Sequence, residues 1–306
     1  MVEVREALGQ AIRTLGNEGV ESPRLDAELL LSRVLGASRA TILAWPERRL
    51  TPKELTAYRN LVARRAAREP LAYILGQREF FGLNLAVDPR VLVPRPETEL
   101  LVEYALHRAR DLAPPSHIAD VGAGSGAIAV VLAVHLPEAT VYALDGSAGA
   151  LDVTSVNAHR HRVGDRVSCL QGDLLEPLRG PVDLITANLP YVTTAEWEDL
   201  PPEIREYEPR SALDGGPDGL ALIRRLLSTS GPYLHPGGAI LLEIGASQGV
   251  AATTLARGSF PYATVTLHQD YAGLDRLVVV DTNGQSGPAT PARAFFPSRG
   301  VAESAF

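Results

Sequence analysis

Apolar positions in the first seventy residues recur at helical spacing. Val4, Leu8, Ile12 and Leu15 share one face, and a second helix is expected after Ser22 and Pro23, where serine can cap and proline can take the first turn. Its apolar face reads Leu25, Leu29, Leu30, Val34 and Leu35, and Gly36 closes it. After a short segment holding Leu43 and Trp45, Thr51 and Pro52 open a third helix through Leu55, Tyr58, Leu61 and Val62. Arg64, Arg65 and Arg68 gather at its end, where cations complement the helix dipole, and the cluster is expected to be a solvated face.

The period then changes. Phe80, Phe81 and Gly82, then Leu83, Leu85 and Val87, then Val91 to Val93 after Asp88 and Pro89, predict a hairpin joining two domains. Pro94, Arg95, Pro96, Glu97, Thr98 and Glu99 form a proline-fixed, charged turn that can be a structural linker or the wall of a site, and a helix from about Pro96 should carry Leu100, Leu101, Tyr104 and Ala105 inward. From His117 short apolar strands alternate with helices: 118–121, 140–144, 167–171, 184–187, 239–244, 263–268 and 277–280. This alternation predicts an α/β fold, a doubly wound, Rossmann-like seven-stranded sheet with a small N-terminal helical bundle. Residues 269–276 are too few for a helical crossover, so the last two strands should be antiparallel. The expected division is a helical docking domain over 1–70, a hairpin linker over 71–93, a catalytic domain over 94–281, and a mobile tail over 282–306, rich in Pro, Ser, Gly and Ala.

With 306 residues, 45% of them hydrophobic, the chain can bury one large core and a second small one. It holds no run of eighteen apolar residues, and Met1 to Glu6 lacks a signal-peptide core, so a cytoplasmic protein without a membrane partner is expected. The single cysteine, Cys169, lies in an apolar segment and should be a buried thiol; it excludes a disulfide framework. A net charge of -7 argues against broad nucleic-acid binding. His117, His159 and His161 show no ligand spacing, and no metal is expected.

The chemistry is expected at the carboxyl ends of the strands, where open parallel sheets take their ligands. Asp120, Val121, Gly122, Ala123, Gly124, Ser125 and Gly126 follow the first strand and open a helix near Ala127; glycines there permit a tight turn and close approach of a ligand. Asp145 ends the second strand, placed to accept two ribose hydroxyls, and Asp173 follows the third, placed to accept an adenine amino group. Three such positions without a pyrophosphate clamp favour S-adenosylmethionine, although Gly122, Gly124 and Ala127 also fit a dinucleotide loop and thus an NAD-dependent oxidoreductase. The fourth strand stops on Asn188, Leu189, Pro190 and Tyr191. The Asn188 side-chain oxygen and the Leu189 carbonyl, held extended by Pro190, make two acceptors for the hydrogens of a planar amino or amide group, with Tyr191 over its face.

Longer stretches make the resemblance specific. Asp26 to Leu31, Arg68 to Gly76, Phe80 to Gly82, Pro94 to Glu99, the glycine turn, Tyr207 to Arg210, Ala212 to Gly216 with Asp218 and Gly219, and Leu242 to Gly245 with Gln248 are similar in order to the HemK/PrmC family of protein-(glutamine-N5) methyltransferases. That resemblance implies methyl transfer from S-adenosylmethionine to the glutamine of the Gly-Gly-Gln motif in peptide-chain release factors, with a release factor as partner. The family's Asn-Pro-Pro-Tyr stands here as Asn188, Leu189, Pro190, Tyr191, with leucine replacing the first proline. Asn-Leu-Pro-Tyr also resembles the motif of ribosomal RNA adenine dimethyltransferases, so the local motif fits an exocyclic adenine amine as well; the flanking stretches and the acidic charge favour glutamine.

Overall fold

The computed structural model describes residues 2–110, 112 and 116–283, so nearly all of the tail set off at 282 lies outside the described residues. The chain divides into two compact units.

The first takes in the chain up to Arg78 with Val87–Pro89 and Leu200–Glu208. Its helices are α1 (Val4–Asn17), α2 (Pro23–Leu35), α3 (Arg39–Ala44), α4 (Pro52–Ala66) and α5 (Leu71–Leu75), with a single helical turn at Pro202–Arg205. Two helices begin as their sequences dictate. Val4, Ala7, Leu8, Ala11 and Leu15 of α1 face the core, and α4 opens on a capping box in which Thr51 and Glu54 satisfy each other's backbone N–H groups.

Charge changes the picture in α2. Ser22 makes no side-chain cap bond, Leu25 is 40% exposed, and the inward face is Asp26, Ala27, Glu28, Leu30 and Leu31. Two carboxylates go inside because cations meet them there. Arg65 Nε donates to Asp26 Oδ2 at 2.7 Å, and Glu28 receives Arg24 at 2.9 Å together with Arg39. Glu203 receives Arg65 at 3.1 Å and Arg68 at 2.6 Å. The arginine cluster is therefore a solvated face only at Arg64, which is exposed and paired with Glu69; Arg65 is 7% exposed and belongs to a buried ion network with Arg68. The segment with Leu43 and Trp45 is itself α3, capped by Ser38, with Ile42 inward and those two outward. The hairpin expected over 71–93 is shorter: α5 occupies its start and ends on Gly76 at φ 70°, and the strands are β1 (Gln77–Phe80) and β2 (Leu83–Ala86).

The second unit takes in Glu79–Ala86, and with it β2, Arg90–Asp199 and the chain from Pro209; its further elements are α6 (Thr98–Ala109), β3 (His117–Val121), α7 (Ala127–His135), β4 (Thr140–Asp145), α8 (Ala148–Arg160), β5 (Val167–Gln171), β6 (Val182–Ala187), α9 (Ala221–Thr229), β7 (Leu234–Glu243), α10 (Gly249–Ser259), β8 (Thr264–Gln269) and β9 (Asp275–Asp281). The seven strands lie in the order β5-β4-β3-β6-β7-β9-β8. The first five are parallel and β9 pairs antiparallel with both β7 and β8, as the short connection requires. Alternate strand residues face opposite layers: Ile118, Val141 and Leu184 join α6, α7 and α8 in one core, and Ala119, Ile185 and Ile240 join α9 and α10 in the other. Cys169 is only partly buried, its thiol directed at the Leu151 carbonyl. Strand order reverses between β3 and β6, so their carboxyl ends flank the crevice where such sheets bind ligands.

Candidate active site

The glycine turn is built on the end of β3. Gly122, Gly124 and Gly126 all have positive φ, at 77°, 56° and 78°. The turn is tied to the neighbouring strand: the Gly122 and Ala123 N–H groups donate to the Leu144 carbonyl at 2.8 and 2.9 Å, and the Gly124 N–H to Asp145 Oδ2 at 2.9 Å. Behind it stands α8. A Cβ on Gly126 would lie 2.8 Å from Thr154, whose hydroxyl donates to the Gly124 carbonyl at 3.0 Å; Asn157 donates to the Ser125 carbonyl at 2.8 Å.

Asp120 anchors the base. Its two oxygens take the Thr186 hydroxyl at 3.0 Å and the Ala129 N–H, in the first turn of α7, at 3.1 Å. Burial pushes this carboxyl up to about 7, against the pull of those two hydrogen bonds.

A cavity of about 670 Å³ opens at the switch point, lined by Gly122, Ala123, Gly124 and Ser125, by Asp145 and Asp173, by Asn188, Leu189 and Pro190, and by Thr98. Of the expected set, Gly126 and Tyr191 do not line it. Gly126 serves sterically, leaving room for Thr154. The Asp145 oxygens accept the Gly124 and Ser147 N–H groups, and each keeps a further lone pair. Asp173 is half exposed and ion-paired with Arg225 of α9.

Asn188 reaches the cavity from the end of β6. Its Nδ2 donates to Thr98 Oγ1 at 3.0 Å, and among the described residues nothing donates to its Oδ1. Leu189 is 4% exposed and packs on the glycine turn, its Cδ2 only 3.1 Å from where a Cβ on Gly122 would be. Tyr191 stands behind this pair: its hydroxyl donates to Glu243 Oε1 at 3.3 Å, and its carbonyl accepts Gln248 Nε2 at 2.9 Å. Burial, then the Glu243 charge, push the phenol above its usual range.

The backbone there is boxed in. A Cβ on Gly215 would strike the Pro190 carbonyl at 2.4 Å, and one on Gly219 the Tyr191 carbonyl at 2.2 Å. The proline-fixed turn supplies cavity wall through Pro94, Arg95 and Thr98; sequence reasoning did not single out Thr154, Asn157, Thr186 or Glu243 as site residues, and it named Asp120 only as the first residue of the glycine stretch. Thr154 and Asn157 did carry a signal, being polar residues three apart on the α8 face that also presents Leu151 and Ala158.

A seven-stranded sheet of this order, with a glycine turn after its first strand and a carboxylate closing the second, defines a Rossmann-like methyltransferase. Family models agree: the PrmC N-terminal domain matches residues 6–76 and the methyltransferase small domain residues 97–200. A methyltransferase from Pyrococcus furiosus shares the fold at a TM-score of 0.50 and 17% identity, over 73% of this chain and 98% of that one. The release factor glutamine methyltransferase of Moorella thermoacetica is 47% identical over 89% of this chain and 96% of its own length. That of Geobacter sulfurreducens is 46% identical over 90% and 95%. The chain belongs to the family of release factor glutamine methyltransferases. Among the described residues no helix is long and apolar enough to cross a membrane, and no group of three or more His, Cys, Asp or Glu is placed to hold a metal ion.

Proposed function

We propose that the chain transfers the methyl group of S-adenosylmethionine to the side-chain amide nitrogen of the glutamine in the Gly-Gly-Gln motif of peptide-chain release factors. The observation that carries this is Asn188: its amide nitrogen is tied to Thr98, leaving an acceptor oxygen at a cavity that the glycine turn also lines. The residues present fit the cofactor. The cavity volume suits a nucleoside-sized ligand, Gly124 leaves backbone uncovered by side chains, and Asp145 retains lone pairs for ribose hydroxyls. Gly122 to Ser125 would hold the methionine part, Asp145 the ribose and Asp173 the adenine side. S-adenosylmethionine supplies a methyl carbon activated by a sulfonium.

A carboxamide nitrogen is a poor nucleophile because its lone pair is delocalised, and no ordinary side-chain base deprotonates it beforehand. The chain acts by placement. The Asn188 Oδ1 and Leu189 carbonyl oxygens accept the two amide hydrogens, aim the nitrogen and stabilise the positive charge that grows on it. Each such bond is worth roughly 2 to 4 kcal/mol in the transition state, by analogy with single oxyanion-hole donors. Pro190 fixes the carbonyl's direction, and Tyr191, which does not line the cavity, backs the pair from behind. The helical unit would dock the release factor.

Mass spectrometry of a release factor incubated with the chain and S-adenosylmethionine is expected to show one added methyl on the Gly-Gly-Gln peptide; an unmodified peptide refutes the proposal. The Asn-Leu-Pro-Tyr run supports a second reading, transfer to the exocyclic amine of adenine. RNA incubated in parallel with labelled cofactor discriminates, since label in RNA alone would select it.

A further inference from the structure

The β6–β7 ladder closes with Ala187 opposite Leu242, so the chain leaves that pairing just as it reaches Asn188. Pro190 has no N–H to prolong it. The residues proposed to receive the acceptor amide therefore need another anchor on the β7 side, and Gln248 supplies one. It is 8% exposed, stands at the head of α10 and does not line the cavity.

Its side-chain amide spans three backbone segments. Oε1 accepts the Gly245 N–H at 2.9 Å, just past the end of β7, while Nε2 donates to the Tyr191 carbonyl at 2.9 Å and to the Asp218 carbonyl at 3.4 Å. A carboxamide brings an acceptor and two donor hydrogens in one plane, which is what this junction requires. The anchor does not depend on what it holds. The Gln248 backbone N–H donates to the Gly245 carbonyl at 2.9 Å, so residues 245 and 248 fix each other by a reciprocal pair. Main chain covers the far end: a Cβ on Gly219, whose φ is 68°, would strike both the Tyr191 carbonyl and Gln248 Nε2. Without the Nε2 hydrogens the Tyr191 carbonyl is left unpaired in a crowded place, and the strand must shift to find it a partner.

We propose that Gln248 is a positioning residue for methyl transfer, its carboxamide tying the Tyr191 carbonyl to the end of β7 so that the Asn188 and Leu189 oxygens stay aimed at the acceptor nitrogen. This rests on the acceptor role proposed for Asn188 above. The Gln248 amide touches neither reactant. It acts through the backbone of Pro190 and Tyr191, where a displacement of about 1 Å is enough to cost on the order of 100-fold in rate.

The test compares kcat, KM for release factor and calorimetric S-adenosylhomocysteine affinity in the full chain, in Gln248→Met and Gln248→Glu, in Asn188→Ala, and in each Gln248 variant combined with Asn188→Ala. Methionine matches the length of the side chain and offers no donor, whereas glutamate keeps an acceptor for Gly245 and loses the Nε2 hydrogens. Both single variants are expected to lower kcat about 10- to 100-fold, with product affinity held within about twofold and KM within about threefold. Each double variant should be slower than Asn188→Ala by only about threefold, because a clamp that works through Asn188 then has little left to aim; independent losses would multiply. Should Gln248→Met not fold, Gln248→Glu carries the same expectation by itself. Native kcat in Gln248→Glu, losses that multiply in the double variants, or loss of product affinity in both single variants would overturn the positioning role. If the native chain fails to methylate release factor, or Asn188→Ala remains fully active, it is the proposed function that fails.

Discussion

The two units bury carboxylates in different ways. In the helical unit Asp26, Glu28 and Glu203 each meet arginine directly; although burial alone would raise it, hydrogen bonds from Arg68 and Arg65 hold the Glu203 carboxyl below its usual range. In the sheet, Asp120 is held by a hydroxyl and a backbone N–H, and Glu243 by the Tyr191 hydroxyl with Arg276 nearby; both are pushed up to about 7. A charge matched by a cation is fixed in one state, whereas one held mainly by neutral donors sits near its own titration point. The first arrangement suits a rigid docking element. The second suits a site where neutral groups must be aimed and no cation should compete with the substrate.

The largest effect is expected where aim matters most. Asn188→Ala should reduce methyl transfer by at least about 100-fold, the loss of one oriented partner, with cofactor affinity nearly intact in calorimetry. A variant with native turnover would remove the functional side of the contrast. Next comes the matched network: Arg65→Met leaves Asp26 and Glu203 short of a cation and should cost about 3 kcal/mol or more in urea unfolding. A loss below about 1 kcal/mol would mean that these pairs are as slack as surface ones.

Asp120 gives a pH-dependent test. Its folded pKa of about 7 stands above its ordinary 3.8, so between those values the folded chain binds the extra proton and stability falls as pH rises. Asp120→Asn keeps one acceptor for the Ala129 N–H and should remove on the order of 4 kcal/mol of that pH dependence between pH 4 and 8, measured by denaturant unfolding. An unaltered slope would assign it elsewhere. The smallest effect belongs to Arg225→Ala: its pair with Asp173 is half exposed, and cofactor affinity should move by less than about 1 kcal/mol.

Much of this was legible in the sequence because it follows from periodicity and from backbone chemistry. The seven strands, their final antiparallel pair and the glycine turn each leave a local trace in apolar runs, a connection too short to cross over, and residues that tolerate positive φ. The inward face of α2 differs from the apolar reading because its buried positions carry Asp26 and Glu28, whose cations are Arg65 at the end of α4, 39 residues from Asp26, and Arg24 and Arg39 nearer by. The site divides likewise: Asn188, Leu189 and Asp145 end strands and are found by counting, whereas Thr98, Thr186 and Glu243 act through partners 52 to 90 residues away. Spacing within one segment carries no mark of such pairings.

The two glycines pressed on the Pro190 and Tyr191 carbonyls have a practical outcome. Residues 215 and 219 face main chain rather than the cavity, yet any side chain there must push the acceptor strand off its seat. A random hunt for inactive variants would therefore light up a second hot region that never meets either reactant, the mould behind the tool.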